Sequence, residues 1–516
     1  MNAPLRIRGG LALPRHKPGL DRPILDLPLP PVLLHPLLGH GGRELTPCVV
    51  AGQRVHAGTP LADGLRACAS GTVRAIERHP ILDPYRRHAP CVVIDTQAHE
   101  SSATAVTSPI MGPATGVIGP IDDADAMRAL LSAGIDGQGG AGFPAAVKLR
   151  AVGAVGCRLL LINACECEPG IACDEALLQE ASSDVVAAIG RLVRVLAAQR
   201  TCIAVEHDKR AAIAALKGAL CASTGIETLL FEPVYPSGAE GPLLDRVMNH
   251  LGLPALPGGC RPSDAGVLCL NLATALALGR ALQGEPPATR IVTVTGQDAR
   301  LDANVRATLG TPVGWLLERL GHTLADAARV RIGGPLSGHE SGALGASITA
   351  TTHAIHLCAA APAPDPVPTR PCIRCGECAP VCPVALQPQL LHWHADASDL
   401  PALRRLGIDR CIECGCCDVV CPSALPLTAG FRAARRELAE RARRTAEAER
   451  AGVLVQRRSA RLQREEQRRE QAPPVAARSN VETALARVKA RAATRAQTGV
   501  GTGATTGDGH RSGESE

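Results

Sequence analysis

Cys372-Ile-Arg-Cys375-Gly-Glu-Cys378-Ala-Pro-Val-Cys382-Pro383 is followed further along the chain by Cys411-Ile-Glu-Cys414-Gly-Cys-Cys417-Asp-Val-Val-Cys421-Pro422. In each stretch three cysteines stand two residues apart, and a fourth follows after three more, directly before proline. Present twice, this is the spacing of bacterial two-cluster ferredoxins. Three thiolates so spaced grip one face of a 4Fe–4S cubane, and the fourth, beyond a proline-stiffened turn, reaches the other cluster. The reading therefore assigns Cys372, Cys375, Cys378 and Cys421 to one cluster and Cys411, Cys414, Cys417 and Cys382 to the other. A pair of zinc sites is the alternative, but zinc takes four ligands, usually as two spaced pairs, which leaves the repeated triple unexplained. Cys416 falls outside the spacing and reads as a small core residue.

The 516-residue chain around this stretch is long enough for three or four domains. With 46% hydrophobic and 20% charged residues, most of it can bury cores. Three Phe, two Tyr and two Trp are its whole aromatic content. The cores must then be aliphatic, and a base-stacking platform is excluded, so no nucleic-acid partner is expected. A chain of this size with 21 Cys is no small disulfide scaffold, and Met1–Gly10 lacks the apolar core of a signal peptide. Free or metal-bound thiols in a reducing compartment are the natural reading. No run reaches the roughly 18 uncharged apolar residues that a membrane span requires. The net charge of +6 is uneven: residues 430–500 hold 18 Lys/Arg against 8 Asp/Glu, which leaves the remainder at −4.

The patterning predicts a multidomain α/β and α+β protein in seven segments. Residues 1–44, rich in Pro and Gly, read as extended chain. Residues 45–100 carry short β-type runs (Cys48–Val50, Gly71–Ile76, Cys91–Ile94) parted by turns, a small β module. Residues 108–285 alternate strand and helix: Arg158–Ile162 and Thr201–Val205 are buried-strand runs, and Ser183–Ala198 has helical periodicity. Residues 286–360 are again β-rich, with Ile291–Thr295 and Val330–Ile332. A Pro-rich linker at 361–370 leads into the cysteine domain, 365–430. Residues 431–472 read as a charged helix and 473–516 as a disordered tail.

Gly134-Ile-Asp-Gly137-Gln-Gly139-Gly140-Ala-Gly142-Phe143-Pro144 precedes Lys148. Such a loop lets backbone N–H groups approach a phosphate, with a helix N-terminus behind it; a plain Gly-rich turn is the alternative. It is neither a P-loop nor a dinucleotide fingerprint. Asn163-Ala-Cys-Glu166-Cys-Glu168-Pro169-Gly170 follows a buried strand, at the end where α/β sheets place ligands. Tyr235-Pro-Ser-Gly238-Ala-Glu240 is a third motif of amide, hydroxyl and carboxylate groups that a flavin ring could engage.

These three motifs resemble the flavin- and NADH-binding subunit of respiratory complex I. The closer resemblance is to the RnfC/RsxC family, a component of the Rnf/Rsx ion-translocating electron-transport complex. It runs from Gly9-Gly10 and Pro28-Leu-Pro30 through Gly71-Thr-Val73, Arg261-Pro-Ser-Asp264, Gly310-Thr-Pro-Val313 and Gly333-Gly-Pro335 to both cysteine motifs. It implies a barrel-sandwich, lipoyl-like module at 45–100, a complex-I-type NADH/FMN-binding domain at 108–285 and a soluble-ligand-binding β-grasp domain at 286–360. A two-cluster bacterial ferredoxin domain and a helical basic tail complete it. By the same resemblance FMN contacts fall on Gly137, Gly139, Gly140, Lys148, Asn163, Glu166, Tyr235 and Asn271. Glu166, Glu168 and Phe143 are the catalytic candidates, the last two nearer the nicotinamide of NAD(H). Cys165, Gly170 and Ala145 depart from the family pattern, and the module lacks the lysine loop for lipoyl or biotin attachment.

The implied role is a peripheral subunit at the cytoplasmic face of a bacterial inner membrane. Its partners would be the integral membrane and other subunits of an Rnf-type complex, the membrane surface, and ferredoxin or a ferredoxin-like subunit. Two other readings compete: a soluble reductase of the cobalamin-reductase type, and a polyferredoxin-like carrier without flavin.

Overall fold

The structure, a computed structural model, describes residues 3–83, 86–96, 123–220, 225–285, 287–296, 299–322, 329–341, 344–358, 368–471 and 479–497. The start of the expected 108–285 domain, most of the 361–370 linker and the ends of the 473–516 tail lie outside these residues. The chain divides into two compact units, Met1–Arg435 and Arg436–Glu516.

At the centre of the first unit is a four-stranded parallel sheet, in the order Ile226–Phe231, Thr201–Glu206, Leu159–Asn163, Val267–Asn271. Side chains alternate across it as period-two geometry requires. Leu160 and Ile162 enter one apolar cluster with the helices Ala145–Val155, Cys173–Val195, Arg210–Ala219 and Leu272–Ala281. Leu159 and Leu161 enter another with Glu240–His250. After Leu159–Asn163 the chain winds outward through two strands, then returns to add Val267–Asn271 on the opposite side. The strand order therefore reverses between these two neighbours, and Asn163 pairs in register with Asn271 at their C-terminal ends. That reversal is where an open α/β sheet forms its ligand crevice.

The barrel-sandwich module is built on a sheet ordered Val32–Pro36, His88–Thr96, Gly71–Pro80, Arg54–Val55. It therefore starts before residue 45, because Val32–Pro36 pairs antiparallel with Cys91–Asp95 and Leu33 and Leu37 join its core. Cys48–Val50 is not a strand; it bends around the core, to which it contributes Val49. The β-rich segment forms a six-stranded sheet, ordered His339–Ser341, Arg329–Ile332, Ala354–Cys358, Thr289–Thr295, Ala303–Thr308, Leu25–Asp26. The helix Val313–Arg319 supplies Val313, Leu316 and Leu317 to its core.

Residues 1–44 are not merely extended chain: they add edge strands to two sheets and form a two-stranded ribbon with a third segment. Leu11–Ala12 pairs with Val234–Tyr235, Leu25–Asp26 with Val305–Arg306, and Val32–Pro36 with the barrel. Gly9 and Gly10, both at positive φ, thread a narrow gap. A Cβ at Gly10 would lie 2.5 Å from Tyr235 O, and one at Gly9 2.9 Å from the Cys382 backbone.

Between residues 368 and 430 the described chain forms turns and helices, with Pro388–Asp396 and Leu400–Arg405 joining the two cysteine motifs. The helix read as 431–472 spans Leu427–Gln471. Its first turns bury Leu427, Phe431 and Ala434. In the second unit its surface carries Arg441–Glu437, Arg443–Glu447 and Arg444–Glu440 pairs, the i,i+4 pattern that supports a solvated helix. The expected disorder after 473 is corrected in part: Ser479–Gln497 is helical, its Ala- and Arg-rich sequence containing no Gly or Pro to break it.

Candidate functional site

At the C-terminal ends of the parallel strands opens a cavity of about 1090 Å³. It brings together Gly137, Gly139, Gly140, Phe143, Lys148, Asn163, Glu166, Glu168, Tyr235 and Asn271, all of the candidate flavin and catalytic residues. The barrel module, the parallel sheet, the six-stranded sheet region and the second cysteine motif, through Ile412, Glu413 and Cys414, all contribute to its lining.

The glycine loop closes on itself through Gly137 N–H donating to Phe143 O at 2.9 Å, and is fixed below by Gln138 N–H donating to Thr274 Oγ1 at 2.8 Å. Among the described residues nothing takes up the amides of Gly139 and Gly140, both exposed in the cavity mouth. Two free amides in a glycine loop suit a phosphate. The buried Nε2 atoms of His35 and His339 on the lining also lack a partner. Burial holds the His35 pKa down to about 4, so at neutral pH it presents a neutral ring. These free groups fit a flavin nucleotide.

Several expected contacts are already engaged. Lys148 Nζ donates to both carboxylate oxygens of Glu240 at 2.8 Å and to Cys269 O at 3.1 Å. Asn163 Nδ2 donates to Gly238 O at 2.8 Å, and Asn271 Oδ1 caps the helix Leu272–Ala281 while its Nδ2 donates to Asp174 at 2.6 Å. The Glu166 carboxylate accepts from the amides of Asp174 and Glu175 at the start of Cys173–Val195, where a helix dipole favours negative charge. Burial disfavours that charge, but Lys17 and Lys209 outweigh it and hold the Glu166 pKa below its ordinary value. Burial and the Glu166 charge together raise Asp174 to about 6. Glu168 accepts from Leu336 N, Ser337 N and Ser337 Oγ at 2.7, 2.8 and 2.5 Å, tying the parallel-sheet region to the loop after Arg329–Ile332 of the six-stranded sheet. Both carboxylates thus shape the walls, with every oxygen hydrogen-bonded. Of the three catalytic candidates only Phe143 offers the cavity a ring, with Lys148 Nζ 5.9 Å from its centroid.

The two cysteine motifs repeat one backbone conformation. Arg374 and Glu413, Gly376 and Gly415, and Ala385 and Ala424 all take positive φ at equivalent positions. Cys382 lines one small apolar cavity with Cys411, Cys414 and Cys417, beside Leu386, Ile412 and Phe431. The other motif's end is held to the first by Arg370 N–H donating to Ser423 O and Ser423 Oγ donating to Pro371 O, both 3.0 Å, which joins the chain just before Cys372 to the chain just after Cys421. Among the described residues no three of these cysteines bring ligand atoms within 4.8 Å of one another. Cys416 draws the Cys414 pKa down to about 7, toward a thiolate, whereas burial pushes the Cys378, Cys411 and Cys417 thiols up.

Two family profiles match the chain: the RnfC barrel sandwich hybrid domain over residues 5–99 and the Nuo51 FMN-binding domain over residues 130–280. An RnfC protein of Serratia proteamaculans, named as part of an ion-translocating oxidoreductase complex, is 35% identical over 485 residues, covering 91% of this chain and 67% of the relative. The chain belongs to the RnfC family. The Pseudomonas aeruginosa member is 37% identical over 89% of this chain, and the Edwardsiella ictaluri member 36% over 93%. The chain spans about 60% of the length of these two curated relatives.

Sequence reasoning missed residues that act at a distance along the chain. Lys17 donates to the carbonyls of Glu166, Glu168 and Ile171. Buried Arg290 donates to Gln138 O at 2.6 Å and Thr352 O at 2.7 Å, clamping the glycine loop to the six-stranded sheet region. Neither carries a local motif; a basic residue inside a Pro-rich or β-rich run was the only signal. The family departure at Gly170 has a packing reason: a Cβ there would lie 2.6 Å from His356 Cε1.

Proposed function

We propose that this chain is the electron-transfer subunit through which a nicotinamide nucleotide exchanges electrons with an iron–sulfur chain in a membrane-bound, ion-translocating complex. When bound, FMN supplies the conversion between a two-electron hydride and single electrons. The chain's own residues hold the parts. The Gly139 and Gly140 amides receive a phosphate, Asn163 and Asn271 fix the crevice floor, and Phe143 offers a ring face to the nicotinamide. Cys382, Cys411, Cys414 and Cys417 would hold one cluster, and Cys372, Cys375, Cys378 and Cys421 the other.

The observation that carries the reading is the join between cavity and cluster loop. Tyr235 Oη donates to Cys414 O at 2.7 Å, and Cys414 itself lines the cavity. A flavin in this space would lie against the second motif with no intervening domain. Among the described residues no helix is long and apolar enough to cross a membrane. Attachment at the cytoplasmic face therefore rests on docking to membrane subunits and on the basic helices. Family membership favours this reading over a free-standing cobalamin-type reductase.

The test is direct. Reconstituted anaerobically with FMN, iron and sulfide, the protein should pass electrons from NADH to a one-electron acceptor such as ferricyanide. Absence of turnover in protein that has bound FMN and iron sinks the proposal.

A further inference from the structure

The barrel module, which carries no attachment lysine, has no evident task of its own, yet it forms one wall of the central cavity. His35, Leu38, His40, Gly41, Gly42, Arg66 and Arg86 all line it. The module is fastened there at separate points. The short hairpin formed by Leu38–Gly39 and Arg43–Glu44 carries His40 at its tip, and His40 Nδ1 lies 3.1 Å from Gly142 O. The same imidazole meets the Phe143 ring edge-to-face, with centroids 5.1 Å apart at 71°. Arg66 donates to Ser132 O at 2.9 Å and to Gly58 O at 3.0 Å. Gly64 approaches Gly134 so closely that a Cβ on Gly134 would lie 2.2 Å from Gly64 O.

Phe143 is set apart by exposure. Phe231 and Phe431, the other two phenylalanines of the chain, are 0% and 2% exposed, whereas Phe143 is half-buried in the cavity. An aromatic residue held out of a core in a chain with so few of them has a face to offer a ligand. His40 fixes that face from the side, since an edge-to-face neighbour restricts ring rotation. Among the described residues Arg66 is bonded to two carbonyls and to no carboxylate, so it leaves positive charge on the same wall, suited to the diphosphate of a dinucleotide.

We propose that the barrel module completes the pocket for the dinucleotide substrate, with His40 the positioning residue that orients Phe143 for the nicotinamide ring and Arg66 favouring the diphosphate. This rests on the electron-transfer reading above and deepens it: the module is a part of the substrate site and not a spacer. Flavin, held by the Gly139 and Gly140 amides and not by Gly142, where the hairpin touches the loop, should be much less sensitive to the hairpin than the dinucleotide.

The test uses full-length protein carrying FMN and clusters, with NADH as the probe. His40→Ala should raise the NADH KM at least about fivefold while kcat and the FMN dissociation constant stay within about twofold. His40→Phe, which restores an edge-to-face neighbour, should recover most of the loss. Arg66→Ala should raise KM for NADH more than for reduced nicotinamide mononucleotide, which has no diphosphate. An unchanged KM in His40→Ala with an active wild type overturns the proposal alone. So does a loss of FMN affinity matching the rise in KM, which would make the wall part of the flavin site. Absence of NADH oxidation by wild-type protein that has bound FMN overturns the functional reading and this proposal with it. Circular dichroism and iron content of both His40 variants separate misfolding from misplacement.

Discussion

Replacing Gly139 by Val should abolish flavin binding while leaving the protein folded. A Cβ at this position meets nothing closer than Asn271 Cβ at 3.3 Å, and the glycine is exposed in the cavity mouth. That contact is tight, so Asn271 must give by a few tenths of an ångström, and the cost to the fold should be about 1 kcal/mol. The branched side chain, however, stands where a phosphate must approach the Gly139 and Gly140 amides. Hydrogen bonds to a charged group contribute about 1.5–3 kcal/mol each, so losing both weakens binding by about 3–6 kcal/mol, or at least about a hundredfold in Kd. Quenching of flavin fluorescence during titration reads this directly, with iron content and Tm as controls. Gly238→Ala makes the contrast, because its Cβ would lie 2.5 Å from Cys165 O and should displace the Asn163 loop and lower Tm as well. An FMN Kd for Gly139→Val within about threefold of wild type, or equal loss of iron and flavin, would refute the phosphate-cradle reasoning.

Three further outcomes follow from the same geometry. Cys421→Ser should reduce iron from about eight to about four per chain and remove the spectroscopic signal of the Cys372–Cys378 cluster; loss of the other signal would refute the crossed ligand assignment. Deleting residues 441–516 should leave iron and FMN contents unchanged and move the protein from the membrane pellet to the soluble fraction at low salt; the cut begins beyond Leu438, the last buried residue of the long helix. Asp174, raised to about 6 by burial and the Glu166 charge, favours the protonated fold, so its contribution to stability falls as pH rises from about 4 to above 6. Asp174→Asn should accordingly lose less Tm between pH 5 and pH 7.5 than wild type; an equal or larger loss would show that Asp174 does not titrate in that window.

Much of this architecture was legible because its signals are local. The cysteine spacing repeats in sequence, and the repeated positive φ at Arg374 and Glu413 shows the same loop built twice. The strand run ending at Asn163 and the glycine loop announced the crevice, and the structure gathers every candidate flavin residue into one cavity. What stayed hidden depends on partners far along the chain. Residues 1–44 look like plain extended chain because an edge strand that borrows its hydrogen bonds from other domains needs no periodicity of its own. The partners of Glu166 and Glu168, the amides of Asp174, Glu175, Leu336 and Ser337, lie far along the chain or beyond any local motif. The helix Ser479–Gln497 was obscured by the Gly-, Thr- and Ser-rich stretch that follows it.

The most direct test of the central claim is an anaerobic optical titration of the reconstituted protein with NADH, following the flavin and iron–sulfur bands together, beside a parallel sample depleted of FMN. The account predicts that NADH bleaches both bands in the complete protein, or that titanium(III)-reduced protein reduces added NAD⁺ when run in reverse, and that neither happens without FMN. Cluster reduction by NADH in the FMN-free sample, or a complete protein inert in both directions, would contradict it.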